Sequence, residues 1–150
     1  MRVVIQRVKE ASVSVQGVKI SEIQKGLLIL VGVETLDTQQ DIDWLVAKVA
    51  KLRIFEDSLG AMNVSLQDIG ADVIVVSQFT LHASTKKGNR PSFIKAAKPE
   101  VAIPLYQGFV DSLEKQLDKK IQTGQFGAMM DVALINDGPV TITIDTKNKE

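Results

Sequence analysis

The chain has 150 residues, 18 Lys+Arg against 18 Asp+Glu, one His, no Cys and 45% hydrophobic residues. That length suits one domain, and the absence of cysteine excludes a disulfide scaffold, a thiolate zinc site and a cysteine nucleophile. The longest apolar run, Leu27 to Val33, is far short of the roughly 20 residues a membrane helix needs, and Met1-Arg2-Val3-Val4-Ile5-Gln6-Arg7 has no signal-peptide pattern. The expectation is a soluble, cytoplasmic, single domain spanning 1–150, with a polar, frayed tail at about 146–150.

The elements read as follows. Residues 2–7 alternate like a strand, and Val13, Val15, Val18 and Ile20 alternate with polar neighbours, with Gly17 placed to turn the chain. Leu27 to Val33 reads as a strand buried on both faces. Thr38 and Asp41 resemble a capping box ahead of a helix whose apolar stripe is Ile42, Leu45, Val46, Val49 and Leu52. Asp57-Ser58-Leu59-Gly60 reads as a turn, and Val73–Val76 as a second buried strand running into Ser77-Gln78-Phe79-Thr80. Residues 83–99 form a polar loop. A second helix covers about 100–118, starting or bending at Pro104. Val132–Ile135 and Val140–Ile144 read as two strands separated by Asn136-Asp137-Gly138-Pro139. The fold class is α/β of the α+β kind: an antiparallel-rich β-roll or barrel-like sheet covered by two main helices.

Net neutrality hides an asymmetry. Val73 to Pro99 contains no acidic residue but holds Lys86, Lys87, Arg90, Lys95 and Lys98, leaving 13 basic and 18 acidic side chains elsewhere, a balance of −5. Such a patch suits docking onto a polyanion at one face, although a solvated lysine-rich loop reads the same way.

The catalytic inventory is thin. His82, the single histidine, follows Thr80 by two residues; on a strand the two share a face and would form a Thr–His pair, but a lone histidine near a strand end is more commonly an ordinary half-buried side chain. There is no Gly-x-Ser-x-Gly elbow, no phosphate-cradling glycine loop and no compelling carboxylate pair. An enzyme built from this chain must work with backbone groups and hydroxyls, or let its substrate supply the reactive group. Gly138-Pro139 is either a plain turn or a cis bond, which costs only about 0.5–1 kcal/mol over trans at proline.

Taken together, Met1–Val8, Ser77-Gln78-Phe79-Thr80, Asn89-Arg90-Pro91-Ser92-Phe93, Gly124-Gln125-Phe126-Gly127-Ala128 and Asn136-Asp137-Gly138-Pro139-Val140-Thr141 resemble the D-aminoacyl-tRNA deacylase family, over nearly the whole chain. Two departures are Met129, where an acidic residue is frequent, and His82, where tyrosine is common.

The resemblance implies a homodimeric hydrolase with active sites at the subunit interface. It would cleave the ester of tRNA charged with a D-amino acid or glycine, without metal or cofactor. Ser77, Gln78, Phe79 and Thr80 would form the catalytic floor, with the amides of Phe79 and Thr80 as an oxyanion hole. Gly138 and Pro139 would enter the partner's pocket and exclude an L side chain, with Arg7 as their brace. Phe126, Ala128 and Met130 would shape the pocket, and Lys86, Lys87 and Arg90 would hold phosphates. Thr80 would be the nucleophile only if it found a base; the alternative, which the resemblance favours, is assistance from the vicinal ribose hydroxyl. Two rival readings are a homodimeric nucleic-acid-binding module without catalysis and a Thr80-dependent hydrolase of small esters.

Overall fold

The computed structural model describes all residues, 1–150. Its first strand, β1 (Arg2–Val15), is 14 residues long and begins with strict alternation, Val3 and Ile5 buried and Arg2, Val4 and Gln6 half-buried. A tight turn at Gln16 (φ 51°) and Gly17 (φ 77°) leads into β2 (Val18–Ile23). Two successive positive φ values match the twist of a hairpin, and glycine adopts them without a Cβ clash. The alternation expected through Val18 and Ile20 is corrected here. Pairing shifts between Val13 and Ser14, so Ser21 and Ile23 face inward while Val18 and Ile20 are 64% and 42% exposed. An irregularity of one residue moves a whole strand's inward set to the other face.

The doubly buried strand is β3 (Gly26–Gly32). It pairs antiparallel with β1, from Arg2 opposite Gly32 to Val8 opposite Gly26. On its other side it pairs parallel with a later strand, Asp72–Ser77, from Gly26 opposite Asp72 to Val31 opposite Ser77. The helix between them is α1 (Gln39–Lys51), whose start is fixed by the Asp41 carboxylate accepting the Thr38 N–H at 2.9 Å. Ile42, Leu45, Val46 and Val49 are buried, as the periodicity requires. Asp57 closes the turn between β4 (Phe55–Glu56) and β5 (Met62–Val64) by accepting the N–H groups of Leu59 and Ala61. A short helix, α2 (Leu66–Ile69), capped by Ser65, precedes β6 (Asp72–Ser77) and was not legible as a helix in the sequence.

The second long helix, α3, runs Pro99–Leu117 with no break at Pro104. Pro104 leaves one carbonyl of the first turns without its helical N–H, but Glu100 and Pro104 are both exposed and water can serve that carbonyl. β7 (Gln122–Thr123) then adds in parallel to β6. The sheet order is β2-β1-β3-β6-β7, and its two ends meet. The Ser21 hydroxyl donates to the Thr123 carbonyl, the Glu22 N–H to Gln122 Oε1 at 2.9 Å, and Gln122 Nε2 to the Glu22 carbonyl at 2.8 Å. The result is a nearly closed, barrel-like sheet.

The last strand departs from expectation. Val132–Ile135 and Val140–Ile144 belong to one strand, β8 (Asp131–Asp145), paired along both halves of β1. The Asn136–Pro139 segment is an irregularity within it, where the register shifts opposite Gln6, Val8 and Glu10. Two apolar clusters result. One joins Val3, Ile5, Leu27, Ile29 and Val75 to α1 and α3 through Leu45, Phe109 and Leu113. The other fills the barrel with Val8, Val13, Ile23, Leu28, Ile74 and Val76. No helix is long and apolar enough to cross a membrane.

The tail is not frayed at its start. Thr146 is buried, its hydroxyl donates to Asp41 Oδ1 at 2.6 Å, and it also accepts from the Met1 ammonium at 2.7 Å. Lys147 reaches Asp41 Oδ2 at 2.8 Å. Polar composition suggested solvent, but two buried carboxylates, Asp37 and Asp41, need partners, and the residues after β8 supply them.

Candidate active site

β6 ends at Ser77, where the Gln78 N–H still donates to the Val31 carbonyl at 2.7 Å. The chain then leaves the sheet in a 3₁₀ turn, Phe79–His82. Gly32 lies directly beneath. A Cβ there would sit 3.0 Å from Gln78 O, from Leu81 Cβ and from His82 Cδ2, so the turn packs tightly on a position where a side chain would have to push it away by a few tenths of an ångström. The first bond within the turn is Leu81 N–H to Gln78 O at 3.3 Å. The amides of Phe79 and Thr80 precede it and have no acceptor in their own turn.

This geometry corrects the expectation that Thr80 and His82 share a strand face. Thr80 is exposed, and its hydroxyl oxygen accepts from Gln78 Nε2 at 2.5 Å. His82 is 1% exposed, 3.6 Å from Glu34 through Nδ1, and neither ring nitrogen has a hydrogen-bond partner. No Thr–His pair forms.

A cavity of about 830 Å³ opens beside the turn. Ser77, Gln78 and Phe79 line it, together with Phe126, Ala128 and Met130, so six expected site residues meet at one place. Thr80 is not among its lining residues. The Phe79 and Phe93 rings meet edge-on, with centroids 5.1 Å apart and planes at 73°. Opposite them Phe126 packs edge-on against Tyr106 at 5.7 Å and 61°. Tyr106 is buried, donates to the Val75 carbonyl at 2.9 Å, and burial pushes its hydroxyl up to about 12. It therefore stays protonated and structural at neutral pH. Lys98 of the basic stretch also lines this cavity, as do Phe93 and Tyr106, to which sequence reasoning gave no site role. The usable signal was a lone tyrosine on the buried stripe of α3, an apolar position where a hydroxyl needs a stated partner.

Gly138, Pro139 and Arg7 lie outside this cavity. The Gly138–Pro139 peptide bond is cis, and Gly138 has φ 135°. Arg7 is only 4% exposed; it donates from Nε to the Asp137 carbonyl at 2.9 Å and from Nη1 to the Ile54 carbonyl at 2.6 Å. It is thus buried and bonded to the segment beside it. Lys86, Lys87 and Arg90 are exposed on a loop pinched by reciprocal Ser84–Ser92 backbone bonds of 2.8 and 2.9 Å. The same loop continues into Phe93, Ala96 and Lys98 at the cavity wall, which puts positive charge next to an apolar pocket.

A barrel-like sheet whose parallel strand delivers a turn with free amides to an apolar cavity edged by Lys98, on the same loop as Lys86, Lys87 and Arg90, fits a hydrolase that takes its substrate from a nucleic acid. The family model described as D-Tyr-tRNA(Tyr) deacylase matches residues 4–145. A D-aminoacyl-tRNA deacylase of Flavobacterium johnsoniae is 67% identical over 150 residues, covering all of both chains. One of Bacteroides thetaiotaomicron is 61% identical with the same coverage. The chain belongs to the D-aminoacyl-tRNA deacylase family, and it is an enzyme that hydrolyses aminoacyl-tRNA. Among solved structures it is similar to one described as c-Myc DNA Unwinding Element Binding Protein, at TM-score 0.91 and 41% identity, covering 97% of this chain and 98% of that one. A probable eukaryotic D-amino acid tRNA deacylase shares the fold at TM-score 0.84 and 16% identity, with coverage of 95% and 97%.

Proposed function

We propose that the chain acts as a homodimer. Each cavity accepts the aminoacylated 3′ end of tRNA, and Gly138-Pro139 of the partner subunit closes it against L-amino acids. The ester carbonyl lies against the Phe79 and Thr80 amides, which take up the negative charge that develops as the carbonyl is attacked. Phe79 and Phe126 offer aromatic surface for the terminal base. An L side chain meets main chain braced by Arg7, a D side chain points away, and glycine passes because it has none. Lys86, Lys87 and Arg90 hold acceptor-stem phosphates. Two observations favour a dimer. Leu134 and Ile135 on β8 are 36% and 50% exposed, and Gly138-Pro139 lies outside its own chain's cavity.

The observation that carries the mechanism is what surrounds Thr80: Gln78 donates to its hydroxyl, and the only histidine is buried without touching it. Thr80 has no base, so activation falls to the vicinal hydroxyl of the terminal ribose. Thr80→Ala should keep most of its rate on D-tyrosyl-tRNA. The same tRNA ending in 2′-deoxyadenosine should be cleaved far more slowly. Collapse of the Thr80→Ala rate with tRNA binding intact would overturn the ribose-assisted route.

A further inference from the structure

The 3₁₀ turn that carries Phe79 and Thr80 is held at its front edge by the sheet, but its rear edge is left short of partners. Continuing the turn would have the Leu81 carbonyl accept the Ser84 N–H, yet that N–H turns away to Ser92 at 2.8 Å. The Leu81 carbonyl is taken instead by Arg2 Nη1 at 3.1 Å. The same guanidinium donates from Nε to Asp145 Oδ2 at 2.7 Å. Arg2 is paired in the sheet with Gly32 on one side and Asp145 on the other. Gly32 is also the residue on which the turn rests. One side chain at the start of β1 therefore touches the last residue of β8 and the rear of the turn, while its backbone borders the turn's floor.

We propose that Arg2 is a positioning residue for deacylation: it locks the 3₁₀ turn in register with the end of β8 and so fixes where the Phe79 and Thr80 amides stand beside the cavity. The inference rests on the reading of that turn as the catalytic one. A guanidinium suits the task because its planar fork donates in two fixed directions, toward a carboxylate and a carbonyl together. Lysine offers a point charge and cannot hold both at that spacing. Burial pushes the Asp145 carboxyl up, but the Lys147 N–H and Arg2 more than offset it and leave it below the ordinary carboxylate value. The bridge is therefore ionised at neutral pH. A link between β8 and the turn also connects the strand bearing Gly138-Pro139 with the groups proposed to polarise the ester.

The test compares Arg2→Met, Arg2→Lys and Asp145→Asn with the parent protein in single-turnover cleavage of D-tyrosyl-tRNA, well below each variant's melting temperature. Misplacement of catalytic groups by about 1 Å can cost on the order of 100-fold, so Arg2→Met is expected to lose about 10–100-fold in rate, with affinity for uncharged tRNA unchanged. Arg2→Lys should recover little of it, and Asp145→Asn, which keeps an acceptor for Nε, should lose less. Faster exchange of the Leu81 and Ala83 amides in Arg2→Met would place the defect in the turn. A rate that falls only in proportion to the unfolded fraction overturns the proposal. So does full activity in Arg2→Met while Gln78→Ala is inactive, which leaves the reading of the turn standing. Full activity in both variants removes that reading and this inference together.

Discussion

Tyr106 on α3 donates its hydroxyl to the carbonyl of Val75 on β6 at 2.9 Å, and the same carbonyl accepts the Gly124 N–H at 3.0 Å. The strand that ends at the 3₁₀ turn is thus fastened two residues before Ser77 to both a helix and the loop that carries Phe126. Removing only the oxygen, Tyr106→Phe, keeps the ring against Phe126 and should cost about 1 kcal/mol of stability, measured by urea unfolding at pH 7.

Tyr106 also predicts a pH dependence. Its ordinary value is 10.0, and burial raises it to about 12 in the folded state. The unfolded chain therefore releases this proton first. The stabilising contribution is complete below pH 10 and is lost as pH rises toward 12. Integrated over that window, the loss is about 2–3 kcal/mol. Urea midpoints between pH 9 and 12 should fall more steeply for the parent protein than for Tyr106→Phe, in which this group cannot titrate.

At the acid end the group to watch is Asp41. Burial pushes its carboxyl up, but hydrogen bonds from Lys147, Thr146 and the Thr38 N–H outweigh it and hold it well below 3.8. Here the unfolded chain takes up the proton first. Stability is complete above pH 3.8 and drains away as pH falls toward the folded value. Asp41→Asn should lower the melting temperature at pH 7 and flatten its decline below pH 4.

Two glycines separate rigid from yielding neighbours. A Cβ on Gly26 would lie 2.0 Å from the Asp72 carbonyl oxygen, backbone that the β3–β6 pairing cannot move. Gly26→Ala should destabilise by more than about 3 kcal/mol, beyond the usual range for overpacking. On Gly124 the nearest atom is Met130 Sδ at 2.6 Å, the end of a flexible side chain. Gly124→Ala should fold, cost less than about 1.5 kcal/mol, and raise KM by pushing Met130 into the cavity. Thermal melts and steady-state kinetics distinguish the pair.

Charge reversal on the loop makes the last prediction. Lys86→Glu/Lys87→Glu should weaken tRNA binding and make the dependence of log Kd on log salt shallower by about one or two. Both side chains are exposed, so the melting temperature should not move. An unchanged slope would remove these lysines from the phosphate contacts.

Much of this protein is written locally. The run Leu27–Val31 reads as a strand covered on both faces, the Ile42–Val49 stripe reads as an amphipathic helix, and the acid-free stretch around Lys86 is a property of composition. Quoted motifs also located most of the pocket: Ser77, Gln78, Phe79, Phe126, Ala128 and Met130 do line one cavity. The strand, the helix and the charge asymmetry follow from local spacing and composition, which need no knowledge of distant neighbours, whereas the pocket residues come only through the family resemblance.

What spacing could not decide is anything set by pairing across the chain. Ile20 faces out because a register shift puts Ser21 opposite Val13 in its place, and Asn136–Pro139 interrupts one strand rather than joining two because β1 is long enough to pair with both halves. Thr80 and His82 part company because Gly32, 48 residues before Thr80, offers a seat for a 3₁₀ turn instead of another strand residue. The roles of Tyr106, Arg2 and Thr146 are of the same kind. Each satisfies a polar group whose partner lies more than 30 residues away, and burial makes such a partner obligatory without saying which residue will provide it.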